Sequence, residues 1–157
     1  CCGPGRPLAC VEFEGRAWRF IGSHRLFHNK ASAIKGKQMS NLNESLSQLI
    51  AVDGALCAAI VDSASGMLLG SAGGGVDMEL AAAGNTEVIR AKVKTMRALG
   101  LDDVIEDILI TLGKQYHIIR PMASKDGIFM YLVLDKSKAN LALARRKVQE
   151  VEKTLQF

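Results

Sequence analysis

Between residues 39 and 157 the side chains able to do chemistry are few and scattered. One cysteine, Cys57, lies in the apolar run 55–61, and one histidine, His117, lies in the run 115–120. A Cys–His nucleophile or a zinc centre needs further convergent ligands, and nothing in the spacing supplies them. Cys57 has no basic sequence neighbour to stabilise a thiolate, so it reads as a small buried hydrophobe. His117 reads as a hydrogen-bonded or exposed strand residue. Asp102, Asp103, Glu106 and Asp107 form an acidic knot whose spacing does not match a calcium loop, and such carboxylates are usually solvated. Ala72-Gly73-Gly74-Gly75 precedes a helix, where backbone N–H groups can cradle phosphate. It lacks both the Gly-Lys-Ser/Thr ending of a phosphate loop and the Gly-x-Gly-x-x-Gly dinucleotide pattern, and so reads as a flexible exit from a strand. The expectation is a non-enzymatic protein with no cofactor and no metal, working by the surface it presents.

That surface must be carried by regular elements, and the hydrophobic periodicity predicts eight. Ser40 or Asn41 can cap a first helix whose Leu42, Leu46, Leu49 and Ile50 share a face. Residues 55–61 and 67–71 read as a hairpin around the turn 62–66, the first strand apolar enough to be covered on both faces. A long helix runs from about Asp77 to Leu99 and stops at Gly100. Its apolar arc is Val88, Ile89, Val93, Met96 and Leu99, and its polar arc is Thr86, Arg90, Lys94 and Arg97. Gly84, Ala91 and Ala98 make a third stripe, small enough to let another helix approach closely. Strands at 104–112, 115–120 and 128–134 follow, the last almost wholly apolar and therefore central. Ser137 can cap a final helix in which Leu141, Ala144, Val148, Val151 and Leu155 recur as a packing seam.

The net charge of +4 is divided unevenly. Residues 1–38 carry seven Lys and Arg against two acids, whereas residues 39–157 carry thirteen against fourteen. Charge therefore argues against a nucleic-acid partner for the domain, and so do its few strand aromatics, Tyr116, Phe129 and Tyr131. Residues 1–38 show no period of either kind and begin with Cys. Lys35-Gly36-Lys37-Gln38 must be encoded by a purine-rich, ribosome-site-like stretch just before Met39. We therefore expect a leader over 1–38, disordered or not natively translated, ahead of one domain over 39–157. No apolar run reaches the roughly 18 to 20 residues that cross a bilayer, and the single domain cysteine fits a reduced compartment. The expectation is a cytoplasmic protein without membrane contact.

The order helix, two strands, long helix, three strands, helix resembles the roadblock family, which includes dynein light chains and regulators of Ras-like small GTPases. The hairpin Ala-Ile-Val-Asp-Ser-Ala-Ser-Gly-Met-Leu-Leu at 59–69 and the segment Asp-Lys-Ser-Lys-Ala-Asn-Leu at 135–141 carry the resemblance. It implies an α+β fold: a five-stranded antiparallel sheet with the long helix on one face and the two terminal helices on the other. It also implies a homodimer joined along the long helices and sheet edges. The residues placed there are Gly84, Ala91 and Ala98, with Ile108 and Ile110 on the edge strand. Arg90, Lys94 and Arg97 then face a Ras-like small GTPase as a docking platform. A small-ligand sensor, or a light-chain module of a motor complex, is the alternative on the same scaffold.

Overall fold

The computed structural model describes residues 41–155. The expected leader and its boundary at Met39 lie outside the described residues. The elements are α1 (41–50), β1 (Ala55–Asp62), β2 (Met67–Gly73), α2 (Met78–Ala98), β3 (Ile108–Thr111), β4 (Gln115–Pro121), β5 (Ile128–Asp135) and α3 (Leu141–Thr154). The strands form one sheet of order β2-β1-β5-β4-β3, and every pairing is antiparallel. The fold is thus the α+β arrangement expected, with β3 at one edge and β5 in the middle.

Alternation along the strands divides the core in two. From β1 and β5, Ala58, Ile60, Met130, Leu132 and Leu134 point to one face, where Leu46 and Leu49 of α1 and Ala144, Val148 and Val151 of α3 cover them. Cys57, Ala59, Val61, Phe129, Tyr131 and Val133 point to the other face, under Ala82 and Ile89 of α2. Both faces being covered is why β1 and β5 read as continuous apolar runs.

Local hydrogen bonds fix the turns. Asp62 accepts from the Ser65 hydroxyl and the Ala64 N–H, at 2.7 and 2.9 Å, and these bonds hold its carboxyl below the usual range. Gly73 leaves β2 at φ +83°, and a Cβ there would stand 2.2 Å from the Leu56 carbonyl oxygen. The glycine run is therefore a close backbone approach followed by a helix start. Its N-terminus is already served by Asp77, whose carboxylate accepts from Leu80 N–H at 3.1 Å. At the other end of α2, Gly100 N–H bonds the Arg97 carbonyl and Leu101 N–H bonds that of Met96, the 5→2 and 6→1 pattern of a Schellman stop.

Four details differ from the sequence reading. Asn41 lies inside α1, and its amide donates to the Thr154 carbonyl at the end of α3 at 3.4 Å, while the other expected cap, Ser40, lies outside the described residues. Asn140, not Ser137, caps α3, accepting from Ala142 and Leu143 N–H. Ser137 instead donates twice to Asp135, at 2.6 Å from its hydroxyl and 2.9 Å from its backbone. β3 spans only Ile108–Thr111. Residues 104–107 stay out of the ladder because Asp107 turns to an ion pair with Arg145 of α3 at 2.6 Å, and its acidic neighbours remain in water. The fourth concerns α2: Thr86 is buried, bonding the Ala82 carbonyl at 2.8 Å, while Val88 and Leu99 are exposed.

Candidate protein-interaction surface

α2 rests on the sheet through Ala82, Thr86 and Ile89, with Val93 and Met96 half-buried beyond them. At about 100° per residue, positions two beyond these lie on the opposite side of the helix. Those positions are Gly84, Val88, Ala91, Thr95 and Ala98, all exposed, and a Cβ at Gly84 would meet no atom within 4 Å. Leu80, 72% exposed, lies on the same side. A two-turn spacing keeps the three small residues in line. The small residues form a low line along the sheet-distal side, flanked by Val88 and Thr95 and by the exposed Glu87.

Beside this stripe the helix carries Arg90, Lys94 and Arg97, and the structure separates them. Arg90 donates to the Ser63 and Ala64 carbonyls at 2.9 and 2.8 Å and pairs with Glu87 at 2.6 Å. It ties α2 to the β1–β2 turn, a role that sequence spacing could not show because the turn is 26 residues away. Lys94 and Arg97 are exposed and make no ion pair among the described residues. They remain available to an outside group.

The β3 edge supplies the second component. Ile108 and Ile110 are half-buried and lean onto the α2 side of the sheet, while Leu109 points to the α1 and α3 side. β3 pairs with β4 along one flank only, so its other flank presents unpaired backbone groups among the described residues. Ile108 and Ile110 thus serve the core, and it is the backbone of β3 that the edge offers.

His117 takes part in a short polar chain within the sheet. Its Nδ1 lies 2.7 Å from the Tyr131 hydroxyl and its Nε2 lies 3.1 Å from Gln115 Oε1. The neutral ring protonated on Nε2 satisfies both, Tyr131 donating to Nδ1. Burial lowers the His117 pKa and raises those of Tyr131 and Cys57, which keeps all three uncharged. Among the described residues no three His, Cys, Asp or Glu side chains converge as metal ligands.

No protein-family model matches the sequence, and no curated protein matches it. Solved structures do. MglB of Myxococcus xanthus superposes with a TM-score of 0.67 at 17% identity, covering 76% of this chain and 87% of that one. A Roadblock/LC7 domain from Streptomyces avermitilis gives 0.64 at 13% identity, covering 73% and 93%. A structure of MglB with tetrameric arrangement gives 0.64 at 16%, covering 74% and 85%. The fold of this chain is the roadblock fold.

Proposed function

We propose that this protein is a non-enzymatic, homodimeric adaptor or regulator of the cytoplasm that binds a Ras-like small GTPase. The observation that carries the reading is the exposed stripe of Gly84, Ala91 and Ala98 on the sheet-distal side of α2, together with a β3 edge that is unpaired among the described residues. A line of small residues on a helix and an unpaired strand edge on one domain suit a two-fold pairing of identical copies, since each copy offers the other the same two features. The tetrameric arrangement of the MglB structure is in keeping with self-association on this fold. The small GTPase follows from the resemblance of the 59–69 hairpin and the 135–141 segment to roadblock regulators. Docking is the mode of action we assign, because of the three cations Arg90, Lys94 and Arg97 the first is committed to the β1–β2 turn and the other two are exposed. No membrane contact enters this reading; among the described residues no helix is long and apolar enough to cross a membrane.

Light scattering of wild type against Ala91→Glu, followed by capture of GTPases from a native lysate on Lys94→Glu/Arg97→Glu, tests both halves. The first variant becomes monomeric, and the second stays dimeric but loses the GTPase. A monomeric wild type, or unchanged capture by the double variant, contradicts the corresponding half.

A further inference from the structure

Beside the C-terminal half of α2 a groove of about 810 Å³ opens between the helix, the segment 101–106 and the end of β4. Val93 and Met96 of α2 and Met122 just past β4 line it. Leu101 and Val104 stand in the same lining, 52% and 79% exposed. Asp102, Asp103, Glu106 and Asp126 surround them as exposed carboxylates, and none forms a salt bridge among the described residues. Two cations oppose them. Arg120 is held by Glu152 at 2.6 Å, and Arg97 is unpaired among the described residues. Because residues 39–157 are nearly neutral as a whole, this acidity is a local concentration.

Folding accounts for these features only in part: Asp103 accepts from the Val104 N–H at 2.8 Å, but the four acids make no ion pair among the described residues, and Leu101 and Val104 stay 52% and 79% exposed. We propose that the groove docks a basic amphipathic segment of a partner protein, its apolar side chains on Val93, Met96, Leu101 and Val104 and its Lys or Arg against the acidic rim. Apolar contact supplies affinity in such a groove, while rim charge selects the partner and speeds encounter. A second copy of this chain is a poor occupant, because a two-fold contact would set the rim against itself. A bound cation is not favoured either, as the carboxylates do not converge. The inference does not rest on the GTPase reading, although Arg97 stands at the border of both surfaces.

The test is fluorescence anisotropy with a dye-labelled helical peptide carrying leucines on one face and lysines on the other. Two control peptides replace lysine by glutamate or leucine by serine. The Leu/Lys peptide binds wild type, and both controls bind at least about tenfold more weakly. Asp102→Lys/Glu106→Lys weakens the Leu/Lys peptide by about tenfold or more, and Val104→Ser weakens it several-fold. Glu44→Lys/Glu79→Lys, with the same change in net charge elsewhere, leaves it unaltered. No binding by wild type, equal binding of the glutamate peptide, or equal loss in the two charge-reversed proteins overturns the proposal. So does a fall in self-association of Asp102→Lys/Glu106→Lys in sedimentation, which would make the groove a contact between copies.

Discussion

At the scale of single residues, three polar groups have a physical reason to matter that their sequence neighbourhoods conceal. Arg90 looked like a member of a basic face, yet its guanidinium bonds two turn carbonyls. Because the side chain is half exposed, its contribution is screened, and Arg90→Met is expected to cost about 1 kcal/mol in urea unfolding while Lys94→Met costs nothing measurable. The Arg120–Glu152 pair is nearly buried, and Glu152 also accepts from Ala123 N–H at 2.7 Å. Glu152→Ala strands a buried guanidinium and is expected to cost about 3 kcal/mol or more, read from the denaturant midpoint. For His117, burial holds the folded ring neutral and lowers its pKa from 6.5. The unfolded chain then binds that proton more tightly, so stability is full above pH 6.5 and falls as pH drops through 6.5 toward the lowered value. Asp62 and Asp135, whose pKa values are also lowered by hydrogen bonds, take stability away only below about 3.8, whereas the His117 loss begins near 6.5. His117→Gln is expected to flatten the stability profile just below pH 6.5, and an unchanged profile would show that the ring is not buried as described.

At the scale of elements, the sequence was legible wherever one physical signal dominated. The apolar runs of β1 and β5 announced strands covered on both faces, and the period of α3 announced a packing seam. The edge position of β3 was legible, but its length was not: Asp107 leaves the strand for Arg145, 38 residues away, and no local pattern reports such a partner. Thr86 was misplaced for a related reason. A threonine can be buried on a helix by returning its hydroxyl to the preceding turn, which polarity scales cannot anticipate. Capping of α3 passed from Ser137 to Asn140 because Asp135 had already engaged the serine. Two predictions belong at this scale. Leu132→Ala in central β5 is expected to cost roughly 2 to 5 kcal/mol in denaturant unfolding. Gly73→Ala is expected to destabilise by more than about 1 kcal/mol, since the residue sits at φ +83° with the Leu56 carbonyl in the way; a neutral result would contradict that turn.

At the scale of the whole molecule, sequence and structure agree on the α+β sheet-and-helix architecture, and they diverge on which cations of α2 are free among the described residues. The stripe of Gly84, Ala91 and Ala98 was visible as a period of seven, but only the structure shows that it faces away from the sheet. The proposed docking site was less legible, because exposure of Lys94 and Arg97 and engagement of Arg90 depend on tertiary packing. If the outer stripe is the contact between copies, Ala91→Glu abolishes dimerisation and lowers the melting temperature of the residual monomer little, because no atom of the core is touched. The account as a whole stands on recognition of a GTPase, and GTPases differ between nucleotide states in the segments that partners read. The most direct measurement immobilises the wild-type protein and compares what a native lysate yields when loaded with a non-hydrolysable GTP analogue or with GDP. The account predicts a Ras-like small GTPase retained several-fold more in one nucleotide state than in the other, and lost with Lys94→Glu/Arg97→Glu. Retention of no such GTPase, or of equal amounts in both states, would contradict it.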